Sequence, residues 1–163
     1  MVVLGIDPGL ATVGYGVIES EHRRMSLIDF GAILTPAGMR LSERLDIIYD
    51  SMTALIERFS PDAVAFEELF FAKNVKTGIA VAHARGVLLA AAYKKTTELY
   101  EYTPLQVKQA LVGYGRADKH QIQMMVKNTF RLEEIPRPDD AADAVAIAMT
   151  HAQTVGFTGE FRI

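Results

Sequence analysis

Two short apolar segments that end in acidic residues constrain the fold of this chain more than any other feature of the sequence. The first, Val2–Ile6, leads directly into Asp7 and a Pro-Gly turn, and the second, Ala63–Phe66, leads into Glu67 and Glu68. Short apolar runs bounded by turn residues are typical of buried strands. A carboxylate at such a position is costly to desolvate without a cation or hydrogen-bond donors. Asp7 therefore faces solvent as a turn former, pairs with a base, or binds a metal ion.

The stretch between these two segments predicts a crossover connection. Apolar residues recur at helical spacing from Leu41 to Phe59, and Ser60-Pro61-Asp62 ends the pattern. A strand–helix–strand unit of this kind makes a right-handed crossover and places its second strand parallel to another member of the sheet. If that neighbour is the first strand, Asp7 and Glu67 share the carboxyl edge, where the sites of such sheets gather.

The remaining periodic segments predict an α/β fold. Two further strands and the first one would form an antiparallel meander, and a late strand would complete a mixed five-stranded sheet flanked by helices. We expect a single domain over residues 1–163, because the length suits one domain and no linker or repeat interrupts the chain. The additional predicted strands are Thr12–Ile18, Met25–Leu34 and Glu98–Tyr102, and the additional predicted helices are Lys76–Lys95, one from Pro104 to Gly113, one capped by Asp118, and one from Asp139 to about Val155.

Charge is distributed unevenly along the chain. From Lys73 to Arg131 there are ten Lys and Arg residues against three acids, whereas the remainder holds seven against seventeen, which gives the net charge of −3. A basic surface beside a carboxylate cluster suits a polyanion held over a metal site, although the same lysines could be ordinary solvated helix faces. The sequence has no cysteine, which excludes disulfides and thiolate metal sites.

The sequence favours a cytoplasmic protein without a membrane anchor. Its N-terminus has no basic segment followed by a long apolar core, as a signal peptide would have. The longest apolar region, Ile79–Tyr93, contains His83 and Arg85 and is too short to span a bilayer.

The last predicted helix opens with a cluster of aspartates. Either Asp139 or Asp140 shares a helix face with Asp143, and spacing does not distinguish the two. Carboxylates in a first helical turn also suit the helix macrodipole, so a capping role is an alternative. Together with Asp7 and Glu67, two of these residues would form a four-acid set that repels itself unless divalent cations bind. Oxygen ligands favour Mg²⁺ or Mn²⁺, and a pair of such ions supports attack of water on a phosphodiester.

Several linked motifs, in order along nearly the whole chain, resemble the RuvC Holliday-junction resolvases, a branch of the ribonuclease H-like superfamily. The resemblance implies a ribonuclease H-like fold and a Mg²⁺-dependent homodimer with two ions per subunit, in which Mn²⁺ can substitute. It also implies symmetric nicking of two like-polarity strands across a four-way DNA junction, in recombination and repair, with the branch-migration proteins RuvA and RuvB as partners. The motifs are Gly5-Ile6-Asp7-Pro8-Gly9, Phe66-Glu67, Phe70-Phe71-Ala72-Lys73-Asn74, Ala84-Arg85-Gly86, Gln106-Val107-Lys108-Gln109, Val112-Gly113 and Asp140-Ala141-Ala142-Asp143-Ala144.

Carried over residue by residue, the resemblance assigns the catalytic and metal-binding roles to Asp7, Glu67, Asp140 and Asp143. It leaves open the roles of Asp139 and of Glu68, which stands where glutamine is common in the family. Its implied DNA contacts are Phe70, stacking on bases, Lys108 and Lys119, near the scissile phosphate, and, as weaker candidates, Lys73, Lys76, Arg85 and Arg116. From the residues alone, Phe70 could also be a core residue, and Lys108 and Lys119 are more typical of solvated helix lysines.

Two other functions are compatible with parts of the sequence. The segment Gly5–Gly9 followed by a hairpin is similar to the first phosphate loop of actin-like ATPases, but that class needs two lobes, for which 163 residues are too few. A non-catalytic junction-binding module would bind DNA without metal-dependent cleavage. The four acids argue against it, because they would oppose DNA unless cations bridge them.

Overall fold

The computed structural model describes residues 1–22, 24–69, 75–154 and 161–163, except for the side chains of residues 75 and 76. The strands and helices of this part of the chain follow one another in the order that the sequence pattern predicts. The strands are β1 (Val2–Asp7), β2 (Thr12–Glu21), β3 (Arg24–Leu34), β4 (Ala63–Glu67) and β5 (Leu99–Tyr102), and the helices are α1 (Leu41–Phe59), α2 (Val75–Tyr93), α3 (Pro104–Val112), α4 (Lys119–Phe130) and α5 (Asp139–Thr154).

The strands form a mixed sheet in the order β3-β2-β1-β4-β5. Strands β1, β2 and β3 make an antiparallel meander, while β4 runs parallel to β1 and β5 runs parallel to β4. The predicted α/β fold with a mixed five-stranded sheet is therefore confirmed. The β1–β4 register pairs Gly5 with Ala65 and Ile6 with Phe66, so the next residues, Asp7 and Glu67, end their strands side by side.

Helices cover both faces of the sheet, and side-chain alternation in the strands divides the core in two. Ile6 and Phe66 point toward the layer of α1 and α2, where Leu88 is buried with them. Ala65 and Tyr102 point toward α3, α4 and α5. By the same alternation, Asp7 and Glu67 lie on the α5 side of the sheet. None of the helices in the described residues is long and apolar enough to cross a membrane.

Helix α5 lies closer to the sheet than ordinary strand side chains beneath it would allow. A Cβ atom added to Gly5 would lie 2.1 Å from the Ala144 carbonyl oxygen, and one added to Gly14 would lie 2.0 Å from the Asp140 carbonyl oxygen. Glycines in β1 and β2 thus let the helix backbone rest directly on the strands. These backbone contacts determine both the height of α5 above the sheet and its position along its own axis.

Burial of α5 is more extensive than its sequence periodicity predicts. An inward face of Ala141, Val145, Ala148, Met149 and Ala152 is expected, but Ala142, Ala146 and Ile147 are also buried. The reason is that α3 and α4 pack on the outer side of the helix. A helix enclosed on all sides has to be apolar on all sides. Residue 155, the predicted end of the helix, lies outside the described residues.

Several element boundaries differ from prediction by one to three residues. Strand β2 continues to Glu21, three residues past the predicted end at Ile18, because its polar residues pair with β3 beyond the edge of the core. Helix α2 ends at Tyr93 rather than Lys95. Apolar periodicity detects the buried part of an element, so it is silent where a strand extends into solvent.

The far side of the α5 layer holds a buried histidine. His151 Nδ1 lies 2.9 Å from the Tyr102 hydroxyl, which lies 3.0 Å from Thr154 Oγ1, and the imidazole also packs on the Tyr100 ring. Burial lowers the pKa of His151 to about 4, against the opposing effect of the negative charge of Glu98. The folded protein therefore holds this imidazole neutral.

His151 makes the stability of the protein depend on pH. Between the unfolded pKa of 6.5 and the folded pKa of about 4, His151 is protonated in the unfolded chain but neutral in the native protein. The free energy of unfolding therefore falls as the pH is lowered through this range. The full contribution corresponds to about 3 kcal/mol. We expect His151→Gln to flatten urea-unfolding free energies between pH 6.5 and 4, while His120→Gln, at an exposed histidine, keeps the native slope. An unchanged slope in His151→Gln would contradict a buried neutral imidazole.

Gly14→Ala tests the close approach of α5. The added methyl group overlaps the helix backbone, and we expect a loss of about 1–3 kcal/mol in unfolding free energy, measured by urea denaturation. Gly38→Ala is the matched control, because nothing lies within 4 Å of its added Cβ. Equal stability of the two variants would mean that α5 can move away from the sheet without cost.

Candidate active site

Asp7 and Glu67 lie together because β1 and β4 are parallel neighbours. The turn after Asp7 is held by Thr35, whose amide donates to the Ala11 carbonyl at 3.0 Å and whose hydroxyl donates to the Leu10 carbonyl. The turn ends β1 abruptly, which leaves the Asp7 carboxyl at the edge of the sheet instead of in its interior.

Burial raises the pKa values of both carboxyl groups of this pair. Burial, followed by the negative charge of Glu67 and a hydrogen bond with it, raises the pKa of Asp7 to about 9, and the charges of Asp143 and Asp140 add to the effect. Burial likewise raises the pKa of Glu67. The metal-free pair therefore shares a proton at neutral pH, since two adjacent buried carboxylates cannot both ionise without a compensating charge.

The first turn of α5 brings further acids to the same place. Gly14 is the cross-strand partner of Asp7 in the β1–β2 ladder, and the Asp140 backbone rests directly on it. The helix start is thereby held beside the end of β1. Asp140 and Asp143 both lie near enough to raise the pKa of Asp7 by their charge. The structure thus brings together the four acids that the resemblance assigns to the site.

Lys119, the first residue of α4, is paired with the helix acids. Its Nζ atom lies 2.7 Å from Asp143 Oδ2 and 3.8 Å from Asp139 Oδ2. Burial raises the pKa of Asp143, and the hydrogen bond from Lys119 only partly offsets this. Although burial opposes it, the hydrogen bond and charge of Asp143 raise the pKa of Lys119. The ammonium group thus supplies positive charge to both Asp143 and Asp139.

The two surplus acids of the sequence are accounted for by the geometry. Asp139 Oδ1 accepts a hydrogen bond from Arg137 Nη1 at 2.5 Å, so this carboxylate is held among cations rather than with Asp7. The Glu68 amide continues the ladder to the Tyr102 carbonyl at 2.9 Å, and alternation turns its side chain away from the α5 side. Sequence reasoning missed the Arg137–Asp139 pair, and its one available signal was an arginine two residues before the aspartate cluster.

A cavity of about 190 Å³ adjoins the acids, and Lys108 lines it together with Glu67 and Asp143. Its lining combines polar groups with apolar side chains of α3, α4 and α5. A larger open groove of about 970 Å³ lies between β3 and the end of α4, away from the carboxylates, and has no acid cluster. The smaller cavity is lined by the charged residues Glu67, Lys108, Lys119 and Asp143 and by the apolar residues Pro104, Val107, Ile122, Ala146 and Ile147.

Other predicted DNA contacts lie elsewhere or outside the described residues. Arg85 forms a half-buried ion pair with Glu101, on the α2 side of the sheet, and its Nε atom is buried without a hydrogen-bond partner. Phe70 and Lys73 fall outside the described residues, as does the side chain of Lys76. Arg116 is exposed in the connection between α3 and α4. Lys108 and Lys119 are thus the predicted cationic contacts that the structure brings to the acids.

The chemistry of the donor set fits a hard divalent cation. In the described residues, no three His, Cys, Asp or Glu side chains are arranged as a ready-made metal site. Asp7 is instead hydrogen-bonded to Glu67, and Asp143 is paired with Lys119. All the available donors are nevertheless carboxylate oxygens, which Mg²⁺ and Mn²⁺ prefer. Burial, and to a smaller extent the charges of neighbouring carboxylates, raises the pKa values of Asp7, Glu67 and Asp143, and a bound cation would favour their ionised forms.

Comparison with known proteins gives a consistent picture. The family described as "Crossover junction endodeoxyribonuclease RuvC" matches residues 3–151. A protein of that name from Alkaliphilus oremlandii is 55% identical over all of this chain and 99% of its own length. The structure of Thermus thermophilus RuvC superposes with a TM-score of 0.91 at 38% identity, over 99% of both chains.

A second Thermus thermophilus structure, RuvC in complex with a Holliday junction substrate, superposes with a TM-score of 0.89 at 36% identity, again over 99% of both chains. The mixed sheet and its helix layers therefore belong to a fold shared over nearly the full length. The chain is a member of the RuvC family of crossover junction endodeoxyribonucleases, metal-dependent nucleases with a ribonuclease H-like fold.

Proposed function

We propose that this protein resolves Holliday junctions by metal-dependent hydrolysis of phosphodiesters in two strands of like polarity. The observation that carries the proposal is the meeting of Asp7, Glu67, Asp140 and Asp143 at one sheet edge with two lysines beside them. The solved complex of a 36% identical relative with a Holliday junction supports the substrate. No comparable observation supports the alternative function of an actin-like ATPase.

The four acids have one collective role in this proposal: they hold divalent cations against the scissile phosphate. Mg²⁺ or Mn²⁺, two per subunit, would supply Lewis acidity and an activated water when bound. Asp7 and Glu67 must release their shared proton for that purpose, so we expect the affinity for the cation to increase as the pH rises. Burial keeps the carboxylates from being solvated individually and thereby strengthens their attraction for a cation.

Lys108 and Lys119 have a second role, because both line the cavity beside the acids. An ammonium group there attracts the phosphate backbone and neutralises charge that develops on its oxygens. Phe70 extends the proposal as the aromatic residue that stacks on an unpaired base, which is worth about 1–3 kcal/mol in other proteins. Lys73, Lys76 and Arg85 are proposed as secondary phosphate contacts, Arg85 after release from Glu101.

The proposal includes a homodimer, because two symmetric cuts require two sites related by a two-fold axis. Helix α2 is the candidate contact, since it exposes apolar side chains, with Ile79 50% and Tyr93 65% exposed. The family relationship extends the proposal to RuvA and RuvB as partners and to action on cytoplasmic DNA by a single nuclease domain spanning residues 1–163.

Cleavage of a labelled four-way junction tests the proposal most directly. With Mg²⁺ or Mn²⁺ we expect paired nicks confined to the junction, and with a chelator we expect binding without nicks. A linear duplex of the same sequence is the matched substrate control, and Asp143→Asn is the matched enzyme control. Equal nicking of the duplex would refute junction selectivity, and binding without any metal-dependent nicks would identify a non-catalytic module instead.

Asp7→Asn separates catalysis from stability. We expect it to abolish cutting while keeping or strengthening junction binding, because loss of a negative charge reduces repulsion of phosphate. In chelator it should also raise the thermal midpoint. Asp7 ionises at pH 3.8 when unfolded but at about 9 when folded, so native stability declines as pH rises between these values, and the neutral amide removes that decline.

The gain in midpoint should therefore be larger at pH 8 than at pH 5. Glu68→Gln removes a neighbouring acid from the other side of the sheet and should show no such pH-dependent gain. Normal cutting by Asp7→Asn would refute the assignment of Asp7 to the metal site, whatever the outcome of the stability measurement.

A further inference from the structure

Lys119 is shared between two carboxylates that lie one turn apart on α5. Its Nζ atom is hydrogen-bonded to Asp143 at 2.7 Å and is 3.8 Å from Asp139, close enough for an ion pair but too far for a hydrogen bond. Residues four apart on a helix share a face, so both carboxylates face the start of α4. A shift of about 1 Å would transfer the hydrogen bond from one carboxylate to the other.

The backbone of Lys119 is held in place, so such a transfer needs only its side chain. Asp118 and Gln121 form a reciprocal capping box, with hydrogen bonds of 2.8 and 2.9 Å, around the start of α4. Gln121 Nε2 also donates to the Tyr114 hydroxyl at 2.8 Å. The start of α4 is thus held by these hydrogen bonds, while the Lys119 side chain is 54% exposed.

Asp139 is oriented to receive this ammonium group. Arg137 binds Asp139 Oδ1, which leaves Oδ2 directed at Lys119. A divalent cation bound by Asp143 would repel an ammonium group hydrogen-bonded to the same carboxylate. The ammonium group then has to leave Asp143, and Asp139 is the acceptor that the structure places within reach of it.

We propose that Asp139 is a positioning residue that takes over the Lys119 ammonium group when a divalent cation occupies Asp143. In the metal-free protein Lys119 neutralises Asp143, and in the loaded protein Asp139 keeps Lys119 at the rim of the site, beside the bound phosphate. This inference rests on the proposed function, since it takes Asp143 as a metal ligand. It gives Asp139 a role distinct from that of the four acids.

A double-mutant cycle on Mn²⁺ affinity tests the inference without DNA or activity. The free ion is followed by electron paramagnetic resonance in titrations of the full-length protein, as wild type, Asp139→Asn, Lys119→Met and the double variant. We expect Asp139→Asn to weaken Mn²⁺ binding about fivefold in the native background, the worth of one exposed ion pair. In the Lys119→Met background the same change should cost less than about twofold, because no ammonium group then needs a place.

Two controls separate this mechanism from general electrostatics. Glu68→Gln removes a charge without touching Lys119 and should have the same small effect in both backgrounds. Asp139→Glu keeps the charge and should restore most of the native affinity. An equal loss from Asp139→Asn in both backgrounds would overturn the inference, since it would mean that Asp139 attracts the ion directly.

The outcome for the proposed function is read separately. Asp143→Asn should lose most Mn²⁺ binding, and circular dichroism verifies that each variant is folded. Wild-type protein that binds no Mn²⁺, or Asp143→Asn that binds it normally, would refute the metal site and with it this inference. Normal Mn²⁺ binding with a zero coupling between Asp139 and Lys119 would refute the inference alone.

Discussion

The contact between the start of α5 and Gly14 of β2 is the constraint on which the site depends. Gly14 is the cross-strand partner of Asp7, so the backbone that rests on it carries Asp140 to the end of β1. A side chain at this position would lift the helix and separate the helix acids from the strand acids. The close packing of α5 therefore also assembles the site. The interactions that bury α5 bring like charges together, so the free energy gained by apolar burial has to exceed their repulsion.

The structure shows two ways of offsetting that repulsion, and the proposed function adds a third. Asp7 and Glu67 share a proton, while Asp143 is paired with Lys119. In the proposed function a divalent cation is the third way, and it would replace the other two, because it needs ionised carboxylates and repels the ammonium group. The groups that offset the repulsion in the metal-free protein would then be those that cation binding displaces. Such a site would have a lower affinity for the cation in return for a more stable metal-free protein.

Much of the fold could be predicted from the sequence because local and global signals agree. The apolar segment before Asp7, the helical spacing from Leu41 to Phe59 and the segment before Glu67 together specify a parallel pair with its acids at one edge. Spacing alone could not separate Asp139 from Asp140, because both share a face with Asp143. The structure separates them through Arg137, which lies in an irregular connection whose path no periodicity predicts. Arg85 illustrates another limit. The motif does not reveal which way this basic side chain points, because its direction depends on Glu101 of β5, with which it forms an ion pair.

The two faces of the sheet carry different groups, because side chains alternate between the faces along β1 and β4. The acids face α5, whereas α2 covers the opposite face and leaves Ile79 and Tyr93 exposed on its outer side. A contact between two copies through α2 would therefore use a surface that holds none of the four acids and would leave both clusters open to DNA. The β5 edge of the sheet is occupied as well, since Glu101 and Ile163 donate backbone hydrogen bonds of 2.8 and 3.0 Å that join β5 to residues 161–163. The proposed association through α2 would thus satisfy the symmetry that paired cutting requires and would disturb neither the packing of α5 nor access to the site.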